Sequence, residues 1–121
     1  MESSIIIGVL IAIFILYKLK GMHRSPAELD AIAAALADGA ILVDVRSPTE
    51  FAQGHLAGAR NIPHGAIVSA QAELAAASSS VVLYCASGTR SAMAARQLRS
   101  AGGLQVLDLG PMSNGAKLGS R

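Results

Sequence analysis

An apolar run that ends in the only cysteine of the chain limits the possible folds more than any other feature. Val81–Tyr84 is continuous in hydrophobic residues, Cys85 follows, and the small residues Ala86, Ser87 and Gly88 lead into an Ala-rich stretch. This order predicts a buried β-strand, a tight loop and an α-helix. We therefore expect the Cys85 thiol at the carboxyl end of a strand, beside the N-terminus of a helix.

This setting favours Cys85 as a nucleophile. Backbone N–H groups at a helix N-terminus carry partial positive charge, and Gly88 permits the positive φ that turns successive N–H groups toward one point. Arg90 adds a cation at the rim of the loop, and both features stabilise a thiolate. The alternative is a small core residue, as an isolated cysteine in an apolar strand usually is. The nucleophile hypothesis requires a thiol that ionises near neutral pH and that solvent can reach.

Composition and charge exclude several classes of function. The 121 residues carry a formal net charge of +2 without a basic stripe that would neutralise several phosphates, so we expect no nucleic-acid partner. A single cysteine excludes an intramolecular disulfide and a Cys-x-x-Cys metal site, and the three histidines lack metal-ligand spacing. We therefore expect no metal, no other cofactor and a reducing compartment.

Residues 1–20 are predicted to be a transmembrane anchor. The charge-free stretch from Ser3 to Tyr17 is rich in Ile, Leu and Val, and as a helix it is about 22 Å long. This is shorter than a hydrocarbon core of about 30 Å, but Lys18 and Lys20 extend toward the headgroups and a bilayer thins locally. One alternative is a cleaved signal peptide, which the acidic Glu2 disfavours. The other is a buried helix of the globular domain, which the lack of a polar face disfavours.

The basic residues beside this segment predict its orientation. Lys18, Lys20 and Arg24 follow the apolar stretch, whereas Glu2 precedes it. By the positive-inside rule, the chain is predicted to cross the cell (inner) membrane once and to place its domain in the cytoplasm.

Residues 21–110 are predicted to form one α/β domain. Capping boxes at Ser25–Glu28 and Ser47–Glu50, each with proline at the first helical position, begin two helices. Further strands and helices are expected at Ala40–Val43, between Gly58 and Pro63, and at Ala66–Ala77, Val81–Cys85, Ser91–Ala101 and Gln105–Leu109. In Ser91–Ala101, the apolar face is predicted to hold Ala94, Leu98 and Ala101, opposite Arg96 and Arg99.

The alternation of strands and helices predicts three layers, a central parallel sheet flanked by helices, in which ligands bind beyond the carboxyl ends of the strands. Asp44–Arg46 and Cys85 lie at two such ends. Residues 111–121 are expected to be a loose C-terminal tail with at most a short helix.

Three segments, taken in this order and spacing, resemble the rhodanese domain over roughly Ser25–Leu109. They are Leu42–Phe51 (LVDVRSPTEF), Gly54–Pro63 (GHLAGARNIP) and Cys85–Ser91 (CASGTRS). The resemblance implies a sulfurtransferase in which Cys85 takes a sulfane sulfur from a donor and holds it as a persulfide. It also implies that the transferred sulfur is cradled by the loop residues Ala86, Ser87, Gly88, Thr89 and Arg90.

The resemblance implies supporting residues and partners as well. Asp44 and Arg46 would brace the loop from the neighbouring strand, and the alternative for them is a surface ion pair of little consequence. The donor would be a small molecule such as thiosulfate, and the acceptor cyanide, a thiol, or a sulfur-relay or thioredoxin-like protein. His55 is expected to be a structural hydrogen-bonding residue, and His23 and His64 to be solvated.

Two other functions stay open. A phosphatase or arsenate reductase of related fold also uses a cysteine loop, but its oxyanion requires the spacing Cys-x5-Arg, whereas four residues separate Cys85 from Arg90. Tyr84 also stands where phosphatases often have histidine. A non-catalytic, membrane-tethered adaptor on a rhodanese-like scaffold is the third reading, and the intact Cys85 argues against it.

Overall fold

The computed structural model describes residues 2–119, and the strands of its sheet are parallel. The helices are α1 (Glu2–Met22), α2 (Pro26–Ala37), α3 (Pro48–Ala52), α4 (Gln71–Ala77), α5 (Thr89–Ala101) and α6 (Gly115–Leu118). The strands are β1 (Ile41–Asp44), β2 (Arg60–Asn61), β3 (Ser80–Cys85) and β4 (Gln105–Pro111). Short 3-10 helices cover His64–Ala66 and Met112–Asn114.

Strand β3 lies inside the sheet, whose order is β2-β1-β3-β4. All residues of β3 are buried, which explains why its sequence is a continuous apolar run rather than an alternating one. Parallel pairing brings the carboxyl ends of β1 and β3 to the same edge, with Asp44 opposite Tyr84. The carboxyl ends of the strands therefore lie at one edge of the sheet, as the sequence predicted, and Cys85 lies at the centre of that edge.

The sheet separates two apolar clusters. Val81, Leu83 and Cys85 belong to the cluster that includes α5, whereas Val82 and Tyr84 belong to the cluster that includes α2. This division follows from the period of two along a strand, which sends successive side chains to opposite faces. The predicted three-layer arrangement is confirmed.

Both predicted capping boxes are present. The Ser25 hydroxyl accepts a hydrogen bond from the N–H of Glu28 at 3.1 Å, and the Ser47 hydroxyl accepts one from the N–H of Glu50 at 3.2 Å. In each box the glutamate accepts a hydrogen bond from the backbone N–H of the serine. These bonds fix where α2 and α3 begin.

The helix predicted over Ala66–Ala77 is wrong in its first part, because α4 begins only at Gln71. Before it, the backbone forms turns in which the N–H of Ala70 donates to the carbonyl of Ile67. The hydroxyl of Ser69 donates to the carbonyl of Ala66 at 2.9 Å and so competes with helical hydrogen bonding. Ile67 is fully buried in these turns, which hold the segment against the sheet.

Two further expectations are corrected. Ala94 and Leu98 are buried on α5, as predicted. Ala101 is exposed, because it is the last residue of the helix. The tail contains the short helix that the sequence allowed, α6, but β4 extends to Pro111 instead of ending at Leu109, and Leu118 packs against the α2 side of the sheet. The helical segment of the tail is held by Asn114, a buried residue whose side chain donates to the carbonyls of Met22 and Leu109 at 3.0 and 2.9 Å.

Helix α1 is long and apolar enough to cross a membrane, and none of its residues is buried. The alternative of a core helix of the domain is therefore wrong. A signal sequence meets the same criteria of length and composition. The C-terminal end of α1 is attached to the domain, since Arg24 donates to the carbonyl of Asp108 at 2.7 Å and forms an ion pair with its carboxylate at 3.2 Å.

Asn114→Ala is expected to lower the free energy of unfolding by about 1–3 kcal/mol, because it leaves a buried carbonyl without its donor. Urea unfolding of the full chain in a non-ionic detergent, followed by the signal of the buried Tyr84, measures this. The matched control is Ser113→Ala, at an exposed neighbour, which we expect to change stability by less than about 0.5 kcal/mol. Equal stability of the two variants would contradict the anchoring role of Asn114.

Candidate active site

Cys85 lies where the sequence placed it, at the carboxyl end of β3 and directly before the loop that leads into α5. The backbone at Gly88 has φ 101°, a left-handed conformation that glycine adopts without steric cost. This turn reverses the direction of the loop, so that the first residues of α5 pack back over the end of β3. The predicted strand, tight loop and helix are confirmed.

The sulfur atom of Cys85 is surrounded by hydrogen-bonding groups. The N–H of Gly88 donates to Sγ at 3.0 Å and the N–H of Ser91 at 3.4 Å. The thiol donates to the Ser91 hydroxyl at 3.6 Å, which in turn donates to the carbonyl of Gly88 at 3.1 Å. Two backbone donors at the N-terminus of a helix thus converge on one sulfur, which is an arrangement that stabilises negative charge there.

The thiol is not open to solvent, contrary to the requirement stated from the sequence. Cys85 has 0% of its surface exposed, beneath a loop whose residues Ala86 and Ser87 are exposed. A surface cavity of about 570 Å³ lies at the opposite edge of the sheet, where β3 and β4 begin at Ser80 and Gln105. That cavity lies at the end of the strands opposite to Cys85 and does not open onto the thiol.

Arg90, predicted as the cation of the rim, is paired with a carboxylate. Its guanidinium binds Glu50 through two hydrogen bonds, of 2.7 and 3.0 Å, and the Arg90 and Glu50 side chains are about one third exposed. The Arg90 hydrogen bond and the capping bonds from Ser47 lower the pKa of Glu50 to about 2, so this carboxylate is ionised at neutral pH. Arg90 therefore joins α5 to α3 and its charge is largely compensated.

Glu50 and Ser91 are the two site residues that sequence reasoning missed. Both residues lie in the segments that resemble the rhodanese domain, but the sequence pattern gives Glu50 only a capping role and gives Ser91 only a place at the start of a helix. A signal was available for Ser91, because a serine three residues after Gly88 in the first turn of a helix presents its N–H on the side of the loop. The pairing of Glu50 with Arg90 joins residues 40 positions apart, and no local pattern predicts it.

Asp44 and Arg46 form a buried pair, so the reading as a surface ion pair is wrong. Asp44 is 0% and Arg46 6% exposed, and the Arg46 side chain donates to both carboxylate oxygens, at 2.6 to 3.0 Å. Burial raises the pKa of Asp44, but the hydrogen bonds from Arg46 outweigh it and hold that pKa below its usual value.

The hydrogen bonds of this pair lead to other segments than the loop. Arg46 also donates to the carbonyl of Gly54 at 2.7 Å, and its guanidinium lies 5.9 Å from the ring centre of Tyr84. Among the hydrogen bonds of residues 2–119, those of Asp44 and Arg46 do not reach residues 86–90. Asp44 lies opposite Tyr84, which directly precedes Cys85, so the pair lies beside the strand that carries the thiol. A bracing role of Asp44 and Arg46 toward the loop stays a prediction.

His55 has the structural role that was expected of it. Its Nδ1 atom is hydrogen-bonded to the carbonyl of Phe51 at 3.0 Å, and the two rings are stacked with centroids 3.7 Å apart. His23 is exposed and His64 is half-buried.

Together, the parallel sheet and the loop that follows the inner strand β3 define a class of α/β domains that hold a cysteine at a helix N-terminus. The family described as the rhodanese-like domain matches residues 25–111, and the chain belongs to that family.

The curated relatives and the solved structures agree with this assignment. Uncharacterized protein YqhL of Bacillus subtilis is 34% identical over 115 residues, which cover 88% of this chain and 87% of that protein. A protein named sulfurtransferase from Allochromatium vinosum is 37% identical over 84 residues, covering 68% of this chain and 78% of its own. The human single-domain sulfurtransferase TSTD1 superposes with a TM-score of 0.60 at 30% identity, covering 74% of this chain and 92% of its own.

Asp44→Asn is expected to lower the free energy of unfolding at pH 7 by about 3–5 kcal/mol, because it leaves the buried guanidinium of Arg46 without a countercharge. Denaturant unfolding of the full chain in detergent measures the loss. Glu28→Gln, which removes a carboxylate from an exposed capping box while keeping a capping side chain, is the matched control and is expected to cost under about 1 kcal/mol.

The same prediction has a pH dependence. The folded pKa of Asp44 lies below its ordinary value of 3.8. The stabilisation from the ionised carboxylate is therefore complete above that value and is lost as the pH falls through the lower folded pKa. The difference in stability between wild type and Asp44→Asn should be constant above pH 3.8 and should narrow as the pH falls from that value through the lower folded pKa. A difference that stays constant over this range would show that the charge of Asp44 is not the cause.

Proposed function

We propose that this chain is a sulfurtransferase in which Cys85 accepts a sulfane sulfur and holds it as a persulfide. The observation that carries the proposal is the pair of N–H groups, from Gly88 and Ser91, that point at Sγ. Relatives named as sulfurtransferases support it. We further propose thiosulfate as the donor and cyanide or a thiol as the acceptor.

The transfer needs no cofactor and no separate base. With thiosulfate, the Cys85 thiolate attacks the outer sulfur, a new S–S bond forms at Cys85, the S–S bond of thiosulfate breaks, and sulfite leaves with the electron pair. The thiolate and the dianion together carry three negative charges, as do the persulfide and the sulfite dianion. Cyanide or a thiolate then takes the outer sulfur and restores the Cys85 thiolate.

The loop supplies what this chemistry requires. A persulfide places a second sulfur anion outside Sγ, and N–H donors at the N-terminus of a helix stabilise such an anion. Because Cys85 has no exposed surface, the proposal includes an outward movement of Ala86–Gly88 that admits the donor and makes room for the outer sulfur. The ion pair between Arg90 and Glu50 holds the first turn of α5 in place during this movement.

The two alternatives are weaker. In a phosphatase or arsenate reductase the loop arginine binds the substrate oxyanion, whereas here Arg90 is engaged by Glu50 and only four residues separate it from Cys85. A non-catalytic adaptor is consistent with a buried thiol, but it does not require two N–H donors aimed at sulfur.

The proposal includes a membrane location. We infer that α1 is an uncleaved single-pass anchor, because its apolar side chains are exposed along the helix. The lysines and arginine after the apolar segment favour a cytoplasmic domain. Proteolysis of sealed inside-out vesicles, which would remove the domain and leave α1 protected, tests this orientation.

Incubation of the full chain with thiosulfate is expected to add the mass of one sulfur atom to the peptide that contains Cys85. Mass spectrometry after alkylation detects it. Cys85→Ser should show no such gain and no thiocyanate formation with cyanide. The urea-unfolded wild type, which keeps the thiol but loses the loop, should form persulfide at a rate at least about tenfold lower.

The result also separates the alternatives. Hydrolysis of an aryl phosphate without any persulfide would identify the oxyanion enzyme, and the absence of both reactions would leave the adaptor. Thiocyanate formation by Cys85→Ser would overturn the mechanism.

Gly88→Ala is expected to slow persulfide formation by about tenfold or more, because it misdirects one of the two donors at Sγ. A Cβ atom there would lie 3.3 Å from Cδ of Pro111, in a backbone conformation that L residues rarely adopt. The matched control is Gly58→Ala, which also has a positive φ but open space around the added Cβ. If both variants react at the rate of the wild type, the geometry of the loop is not what activates Cys85.

A further inference from the structure

The anchor helix touches the loop that holds the thiol. Nζ of Lys18, in the second-to-last turn of α1, donates a hydrogen bond to the hydroxyl of Thr89 at 2.8 Å. Thr89 is the first residue of α5 and lies between Gly88 and Ser91, the two residues whose N–H groups bind Sγ. The ammonium group of Lys18 therefore stands at the rim of the site.

This contact follows from how the end of α1 is held. Arg24 binds the carbonyl and the carboxylate of Asp108, and Asn114 donates to the carbonyl of Met22. Asp108 lies in the middle of β4, opposite Leu83, and Asn114 follows the carboxyl end of β4, so the two contacts attach the end of α1 to β4 and to the segment after it.

The charges at this rim are unequal. Arg90 is compensated by a bidentate carboxylate, that of Glu50. Lys18 instead donates to a neutral hydroxyl, which does not cancel its charge, and it is exposed. The charge of Lys18 is therefore available to an anion that approaches the loop, whereas that of Arg90 is shared with Glu50.

We propose that Lys18 is a substrate-binding residue, which binds the anionic end of the sulfur donor at the mouth of the Cys85 loop. The ligand class is a small anion that carries sulfane sulfur, either thiosulfate or an inorganic polysulfide. The inference rests on the proposed function and adds that the membrane anchor supplies part of the active site. It also means that donor binding occurs where α1 leaves its apolar segment at Tyr17.

The test compares Lys18→Gln with Lys20→Gln in the full chain, purified in a non-ionic detergent. Lys20 lies about 200° around the same helix, so its substitution makes the same change in charge on a different face. The rate of persulfide formation at Cys85 is measured against the concentration of thiosulfate, and separately of polysulfide, at low and high salt.

Lys18→Gln is expected to raise the half-saturating donor concentration by about three- to tenfold while leaving the maximal rate within about twofold. High salt should weaken donor binding in the wild type more than in Lys18→Gln, because screening removes the attraction that the variant already lacks. Lys18→Arg should restore most of the affinity. A purely structural contact would not give a loss that depends on salt and is rescued by a second cation.

The outcomes separate this inference from the proposed function. If the wild type forms persulfide but Lys18→Gln matches Lys20→Gln at all donor concentrations, the role of Lys18 is refuted and the sulfurtransferase stands. A fall in maximal rate alone, with unchanged half-saturation, likewise refutes donor binding by Lys18. If the wild type forms no persulfide with either donor, both proposals fail.

Discussion

The left-handed turn at Gly88 is the constraint on which the site depends. It allows the N–H groups of Gly88 and Ser91 to reach the same sulfur atom. The space beside this turn is also limited, because Pro111 of β4 lies next to Gly88 and opposite Cys85 in the sheet. A side chain at position 88 would therefore meet both a forbidden backbone conformation and a neighbouring strand, so glycine is required for two separate physical reasons.

Two ion pairs distribute charge around this turn in different ways. Asp44 and Arg46 are removed from water and bind each other, so they stabilise the end of β1 without adding net charge near the thiol. Glu50 and Arg90 are half-buried and tie α3 to the first turn of α5. Both pairs are internally neutral, whereas the two backbone N–H groups that bind Sγ carry partial positive charge that is fixed by the fold and does not titrate.

Local patterns made most of the fold predictable, whereas long-range pairing was out of reach. Three kinds of feature depend only on residues within a few positions of one another and could therefore be predicted from the sequence. They are the apolar run of β3, both capping boxes and the glycine turn. The partnership of Glu50 with Arg90, and that of Asn114 with Met22, joins distant segments through side chains whose types fit many local roles. Burial of Cys85 was missed because it depends on how closely the loop packs back on the strand, which composition does not determine.

Burial of the thiol is compatible with the proposed chemistry if opening the loop costs little. Movement of Ala86–Gly88 breaks the hydrogen bond from Gly88 to Sγ, while Ser91 belongs to α5 and keeps its own. One hydrogen bond to sulfur is worth about 1–3 kcal/mol at most, so an open loop would be populated at roughly 1–15%. A minor state of that size lowers the apparent donor affinity by about 7- to 100-fold without blocking the proposed transfer. In the closed state the thiol has no exposed surface.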